Sequence, residues 1–84
     1  MKFHIPDFGH VPDRMRQRSI SEEDIETVLV NFTTSWTSSH SKSRVYQGKV
    51  EDGRVIRVVV VEPPDPDGTL QIKTVYESSE EGSV

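Results

Sequence analysis

The fold is decided by residues 10–32, which read HVPDRMRQRSISEEDIETVLVNF. This stretch predicts two short helices and the turn between them. Pro12 suits the first turn of a helix, where its missing N–H is not needed, and Asp13 places negative charge near the positive end of the helix dipole. The first helix is therefore predicted to run from about Val11 to Arg18.

The second helix carries a full set of local start signals. Ser21 is the predicted N-cap, and Asp24 follows three residues later, close to the pattern of a capping box. Ile20 and Ile25 flank this cap in the positions of a hydrophobic staple. The predicted buried face has helical spacing and consists of Ile25, Val28, Leu29 and Phe32. A polar Ser/Thr run follows, so the helix should end within residues 31–33.

Three strands of an antiparallel sheet are predicted after the helices. They are Arg44 to Val50, Val55 to Glu62 and Thr69 to Tyr76. The first two flank EDGR at residues 51–54, which is a hairpin signal. Two loops fit it: a two-residue turn of Asp52 and Gly53, or a three-residue loop with Gly53 in the left-handed conformation. The choice shifts the pairing by one residue and decides which side chains share a face.

The valine run at residues 58–61 is apolar on both sides of its strand, which predicts a central strand covered on both faces. In the third strand, alternation predicts one helix-facing set, namely Leu70, Ile72, Thr74 and Tyr76. Two helices cover only one side of a sheet, so the other side should be covered by the chain ends, by Trp36 or by a second copy of the chain. A homodimer is therefore one predicted partner. Trp36 itself is predicted to cover the rim of the core.

The two ends of the chain differ in character. Phe3, Ile5 and Pro6 predict a short edge strand or an extended arm, because proline is tolerated at sheet edges. Residues 77–84 are acidic and lack apolar periodicity, which predicts a disordered tail. The sequence thus predicts one α+β domain over residues 1–76, with an N-terminal arm or short strand, two helices and a three- to four-stranded antiparallel sheet.

Composition excludes several classes of protein. A chain of 84 residues has room for one core, and the absence of cysteine excludes disulfides and thiolate metal sites. No apolar run approaches the roughly 20 residues that cross a bilayer, so no membrane contact and a cytoplasmic location are expected. The net charge of −4 disfavours general nucleic-acid binding.

A regular series of possible metal ligands occurs near the start of the chain. It consists of His4, Asp7, His10 and Asp13. Pro6, Gly9 and Pro12 interrupt the helix that would bring them together, so these residues are predicted to serve in turns and at a helix start. Neither a metal nor a cofactor is predicted.

Cationic and aromatic residues form the one combination with possible chemistry. His10, Arg14 and Arg18 follow each other at steps of four on the first helix. Tyr46 and Arg57 lie on the predicted strands. Phosphodiester cleavage needs cations for the developing charge and a histidine, tyrosine or lysine to move protons. The favoured alternative is that the helix arginines pair with carboxylates of the second helix while the tyrosines pack.

The same residues carry a resemblance to a known family. The motif is His-Val-x-x-Arg-Met-x-x-Arg-Ser-Ile-Ser at residues 10–21, followed by Arg44-Val45-Tyr46, Arg57-Val58-Val59-Val60 and Thr74-Val75-Tyr76. From His10 to Tyr76 the chain resembles domain-of-unknown-function family 4258, in which Ala and Gly usually stand at the positions of Val11 and Ser19. A left-handed turn at Ser19 is then expected to cost about 1 kcal/mol. Such proteins look like compact relatives of the BrnT and RelE toxin ribonucleases, with two helices on an antiparallel sheet.

The resemblance implies two functions. One is a ribonuclease in which His10 or Tyr46 moves protons while Arg14, Arg18 and Arg57 hold the phosphate of RNA. The other is a non-catalytic module that binds itself or an antitoxin-like protein partner through the helix pair or the valine face. The sequence has no cationic helix after the last strand and a net charge of −4, which favours the interaction module.

Overall fold

The computed structural model describes residues 2–6, 9–38 and 42–78. Its helices and strands are, in chain order, β1 (Phe3–His4), α1 (His10–Gln17), α2 (Glu22–Asn31), β2 (Thr34–Thr37), β3 (Ser43–Lys49), β4 (Val55–Val61) and β5 (Leu70–Glu77). The strands form one five-stranded sheet in the order β1-β5-β4-β3-β2. Helix α1 packs on β5, and α2 packs on β3 and β4. The predicted α+β class is confirmed.

The sheet is larger than predicted, and it is mixed. The N-terminal arm forms β1, which pairs in parallel with β5 through Phe3 opposite Leu70 and His4 opposite Gln71. The N–H of Leu70 also donates to the carbonyl oxygen of Lys2 at 3.0 Å. The short edge strand, one of the two predicted alternatives for the N-terminal residues, is confirmed. Its parallel pairing with a strand from the other end of the sequence leaves no local signal, so the predicted all-antiparallel sheet of three to four strands was wrong in this detail.

The start of α2 is confirmed. The Ser21 hydroxyl accepts the N–H of Asp24 at 3.1 Å, and the Asp24 carboxylate accepts the N–H of Ser21 at 3.1 Å. Ile20 and Ile25, the predicted staple, are both buried. Ser19 adopts φ +53° in the turn between the helices, which is the left-handed conformation expected there.

Helix α2 ends within the predicted range, but Phe32 does not belong to its buried face. This residue is the C-cap, with extended backbone at ψ 145°, and its side chain is 42% exposed instead of belonging to the buried face. At the same place α2 lies directly on β3 at Gly48. A Cβ atom on Gly48 would stand 3.2 Å from the Cα of Phe32 and 3.5 Å from the Cα of Val28. The glycine therefore allows the helix end to approach the strand closely.

The core lies between the helices and one face of the sheet. Helix α2 contributes the buried residues Ile25, Val28 and Leu29. The central strand β4 contributes Ile56, Val58 and Val60, each fully buried. Burying a side chain of this size is worth about 1.5–3 kcal/mol. This one apolar layer therefore holds the helices on the sheet.

The β3–β4 hairpin uses the three-residue loop, the second of the two predicted alternatives. The N–H of Val50 donates to the carbonyl oxygen of Arg54 at 2.9 Å. The N–H of Gly53 donates to the carbonyl oxygen of Val50 at 3.0 Å. Gly53 adopts φ +94°, a conformation that favours glycine. The resulting register places Tyr46 opposite Val58.

Strand β5 contains an irregularity that the alternating pattern does not show. Val59 pairs with Thr74, but its neighbour Val60 pairs with Ile72, so Lys73 is an extra residue at a β-bulge. Beyond the bulge the alternation is reversed, and Val75 is buried opposite Val58 while Tyr76 lies on the other side of the sheet. The prediction that Thr74 and Tyr76 face the helices was therefore wrong.

Arg54 connects the hairpin to the turn between the helices, a role that the sequence did not indicate. Its guanidinium donates to the carbonyl oxygens of Arg18 at 2.7 Å and Ser19 at 3.0 Å. Three carboxylates surround it: Asp52 at 2.7 Å, Asp24 at 3.4 Å and Glu77 at 3.5 Å. Glu77, predicted as the first residue of the tail, is the last residue of β5. Residues 79–84 of that predicted tail lie outside the described residues.

Candidate interaction surface

One face of the sheet has no helix packed on it among the described residues. We call it the open face and define it by Trp36 on β2, Val45 and Gln47 on β3, Arg57 and Val59 on β4, and Tyr76 on β5. The pairings assign these residues to one side: Val45 stands opposite both Trp36 and Val59, and Arg57 stands opposite both Gln47 and Tyr76. The residues of β4 that lie between the open-face positions point to the opposite side and are in the core.

Apolar side chains are concentrated on the open face. Val45 and Val59 are buried there, although neither belongs to the core under the helices. At its margins Trp36, Val55 and Val61 are 39%, 37% and 41% exposed. The valine strand is central as predicted, but cover on its second face is incomplete among the described residues. Cover by a second copy of the chain remains a prediction.

Arg57 is held in place on this face by two neighbours. Its Nε donates to the Oε1 of Gln47 at 2.7 Å, and its guanidinium carbon lies 5.1 Å from the centre of the Trp36 ring. A cation over the face of a tryptophan is attracted by the ring electrons. Trp36 was predicted to cover the rim of the core. The structure places it on the open face instead, with Arg57 above it.

Two further cations lie on the same side. Lys73, the bulge residue, donates to the hydroxyl of Ser43 at 3.1 Å, and Ser43 stands opposite Val61. Lys49 stands opposite Val55. Within residues 34–37, 43–49, 55–61 and 70–77, the strand positions on the open face include no Asp or Glu. A nearby loop carboxylate, Asp65, accepts the side-chain amide of Gln71 at 2.7 Å.

The predicted catalytic and phosphate-binding residues do not form one cluster. His10 and Arg14 are exposed on α1, one turn apart, and Arg18 is half-buried as the C-cap of that helix. Tyr46 and Arg57 are on opposite sides of the sheet, because Tyr46 stands opposite the core residue Val58. The structure therefore groups three of the five residues on one helix and separates the other two.

Tyr46 has a packing role. Its ring lies 4.9 Å from that of Phe32 in an edge-to-face arrangement, and the guanidinium of Arg44 lies 5.8 Å from the tyrosine ring centre. This agrees with the predicted alternative in which the tyrosines pack. That alternative also paired the helix arginines with carboxylates of α2, but the carboxylate of one of these residues, Asp24, accepts from Arg54 of the hairpin.

The electrostatics of the hairpin loop centre on Asp52. The backbone N–H of Arg54 donates to its Oδ1 at 3.1 Å and lowers the pKa of this carboxyl below its usual value. Burial opposes this shift, while the guanidinium of Arg54 adds to it. Asp52 is therefore charged across the neutral range and helps to fix the loop that sets the strand register.

Other classes of site have little support in the described part of the chain. No group of three or more potential ligands that could hold a metal ion occurs there, and Asp7 of the predicted ligand series lies outside it. The two described helices are both too short and too polar to cross a membrane.

The arrangement of two helices on one face and an open second face defines a small α+β domain with a one-sided core. The chain belongs to the family described as a domain of unknown function (DUF4258), whose model matches residues 9–77. No curated protein and no solved structure matches the chain at a significant level. The predicted family is thus confirmed, while the similarity to BrnT and RelE toxins remains a prediction.

Proposed function

We propose that this protein is a non-catalytic interaction module that binds a protein partner through the open face. The observation that carries this proposal is the exposure of Trp36, Val55 and Val61 on one side of the sheet. Exposed apolar side chains gathered on one face of a small domain are costly in water and favour association. A partner that covered these side chains would remove that cost.

The open face is also rigid, which favours binding. Its residues lie on paired strands, and Arg57 is already positioned by Gln47 and Trp36. Ordering a long side chain on association costs about 0.5–1.5 kcal/mol, and a side chain that is ordered beforehand avoids part of this cost. Tryptophan and arginine are the residue types that most often dominate the energy of protein interfaces.

A ribonuclease is the second candidate, and the geometry supports it less well. In a ribonuclease, the residue that moves protons and the cations that hold phosphate must reach the same phosphodiester group of the RNA. Tyr46 and Arg57 are on opposite faces of the sheet, so they do not meet this condition together. The feature that supports cleavage is the pair His10 and Arg14, exposed one turn apart on α1.

The proposal is tested by site-specific photo-crosslinking of the full chain in its natural host. A photoreactive residue replaces Val61 on the open face or, as a matched control, Val30, which is 55% exposed on α2. We expect a discrete crosslinked protein from position 61 and none from position 30. Equal products from both positions, or a product from position 30 alone, would contradict the proposal.

Light scattering of the purified protein separates the two kinds of partner. If the crosslinked species at position 61 is a second copy, the protein should be a dimer in solution, as the predicted homodimer requires. If it is a different protein, the isolated chain should be a monomer. A monomer that yields no crosslink at position 61 in the host would leave the open face without a binding role.

A further inference from the structure

We infer that the partner of the open face is acidic: an extended protein segment in which carboxylate side chains alternate with apolar ones. This inference rests on the proposed interaction role of the same face and adds the chemistry of the partner. It follows from the local charge, the geometry of Arg57 and the kind of apolar side chain exposed.

The charge of the open face is opposite in sign to that of the whole chain. Lys49, Arg57 and Lys73 lie on this side, and its described strand positions include no carboxylate. The first turn of α2, on the other side of the sheet, is acidic. The net charge of −4 therefore conceals a cationic surface. Complementary potentials steer partners together and exclude partners of like charge.

Arg57 is suited to a carboxylate. A guanidinium presents a planar set of N–H donors that matches the two oxygens of a carboxylate group. The side chain of Gln47 accepts from the Nε of Arg57, and the guanidinium carbon lies over the Trp36 ring. These two contacts fix the direction of the side chain before any partner arrives, so little conformational freedom is lost on binding.

A face-to-face dimer of two copies does not satisfy this surface. A two-fold interface brings the same patch of both copies together. Lys49, Arg57 and Lys73 of one copy would then share one contact area with the three cations of the other. Like charges at an interface oppose association. The charge pattern thus favours a different, acidic chain over self-association through the open face.

The exposed aliphatic residues favour protein over nucleic acid. Single-stranded nucleic acids bind through cations and through aromatic rings on which bases stack. Val55 and Val61 offer no such ring, and Arg57 already lies over the ring of Trp36. Apolar side chains of a peptide would cover both valines while its carboxylates met the cations.

An extended conformation follows from the order of side chains on the sheet. Along β4 every second residue, namely Val55, Arg57, Val59 and Val61, is on the open face. Successive side chains on one face of a strand are about 6.6–6.8 Å apart, and an extended peptide has the same repeat.

The test uses three synthetic peptides that share length and apolar positions. The positions between the apolar residues are all Glu in the first peptide, all Gln in the second and all Lys in the third. Binding to the full-length protein is followed through the fluorescence of Trp36, which is the one tryptophan of the chain. We expect the Glu peptide to bind about tenfold more tightly than the Gln peptide, because each exposed ion pair contributes only modestly to binding. The Lys peptide should bind most weakly, and the differences should shrink in high salt.

Charge-reversal variants show which residues cause the preference for the Glu peptide. Arg57→Glu and Lys73→Glu should each remove most of the preference for the Glu peptide. Arg16→Glu on α1 is the matched control, because Arg16 is highly exposed on the helix side of the sheet, and it should leave the preference intact. A preference that Arg16→Glu reduced as much as Arg57→Glu would place the acidic partner elsewhere on the molecule and overturn the inference.

The outcomes separate this inference from the proposed function. Equal binding of the Glu and Gln peptides would overturn the inference of an acidic partner and leave the open face as an interaction site. No binding of any of the three peptides would overturn both. A fluorescently labelled single-stranded oligonucleotide that bound more tightly than the Glu peptide would replace the protein partner with a nucleic acid.

Discussion

The Nη1 atom of Arg54 lies 2.7 Å from the carbonyl oxygen of Arg18, which joins the β3–β4 hairpin to the C-cap of α1. The helix end has carbonyl groups without partners inside the helix, and the guanidinium supplies one of the missing donors. The loop that sets the strand register is thereby tied to the turn that sets the angle between the helices.

Replacing Arg54 should destabilise the fold more than replacing any exposed arginine. Arg54→Ala removes the donors to the carbonyl oxygens of Arg18 and Ser19 and leaves Asp24 and Asp52 without their shared cation. Arg54→Lys keeps the positive charge but loses the planar set of N–H donors, so its loss of stability should be intermediate. Arg16→Ala, at an exposed α1 site, should have the smallest effect. Urea unfolding of the three variants measures this order, and an equal loss for Arg16→Ala and Arg54→Ala would contradict it.

Asp52 should contribute stability that depends on pH. Its folded-state pKa is lowered, first by the backbone N–H of Arg54, so its contribution is present at neutral pH and is lost as the pH falls through that lowered pKa. Asp52→Asn should therefore be less stable than the natural protein near neutrality and equally stable in strong acid. In an Arg54→Ala background the same substitution should change the free energy of unfolding somewhat less, because the guanidinium contacts are lost while the backbone N–H of residue 54 remains. A stability difference between the natural chain and the Asp52→Asn variant that grew in acid would reverse the assigned sign.

Gly48 should not tolerate a side chain. A Cβ atom there would lie 3.2 Å from the Cα of Phe32, and the backbone of the helix end must shift to accommodate it. Overpacking of this kind typically costs about 1–3 kcal/mol. Gly48→Ala should lower the midpoint of urea unfolding, whereas Lys49→Ala at the next, exposed position should change it little. Unchanged stability of Gly48→Ala would show that α2 lies further from β3.

Trp36 and Arg57 should be energetically coupled. The guanidinium lies 5.1 Å from the centre of the indole ring, and an exposed pair of this kind is worth about 0.5–1 kcal/mol. A double-mutant cycle with Trp36→Leu and Arg57→Met, monitored by circular dichroism during unfolding, should return a coupling of that size. A coupling of zero would mean that Arg57 is not held over the ring in solution.

Purified protein should leave RNA intact. The predicted proton-moving residue Tyr46 and the predicted phosphate-binding residue Arg57 are on opposite sides of the sheet. Incubation with labelled RNA should give no products beyond those of an Arg14→Ala, Arg57→Ala double variant prepared in parallel. Cleavage by the natural chain that the double variant lacks would contradict the interaction module and restore the ribonuclease.

Features that depend on neighbouring residues were predictable from the sequence. The cap at Ser21, its partner Asp24 and the flanking Ile20 and Ile25 lie within six positions, so each signal is complete without knowledge of the tertiary structure. The left-handed turn at Ser19 was also expected, in this case from the resemblance. Phe32 was misplaced because the helical spacing continues one residue beyond the last helical backbone angle.

The candidate site depended on a choice that the sequence left open. With a two-residue loop at Asp52 and Gly53, the register would shift by one and Tyr46 would share a face with Arg57. The three-residue loop instead places Gln47 opposite Arg57 and Tyr46 opposite the core residue Val58. One residue in the loop therefore decides between a mixed tyrosine and arginine surface and the open face that the structure has.

The features that the sequence did not indicate depend on contacts between distant parts of the chain. The bulge at Lys73 follows from the fit between β4 and β5, and nothing in the alternation of residues 70–76 indicates it. Arg54 contacts residues about 35 positions away, and its local sequence suggests only a hairpin. Arginine beside a hairpin glycine is common, so no signal in a single sequence would have identified its role.

The parallel pairing of β1 with β5 also sets an order of events during synthesis. Phe3 and His4 are synthesised well before their partners Leu70 and Gln71, which belong to β5. The helices and the β3–β4 hairpin contain most of their contacts within shorter stretches and can form earlier. Strand β1 therefore has no strand partner during synthesis until β5 has been made, and until then its backbone N–H and C=O groups can bond only to water or to other segments.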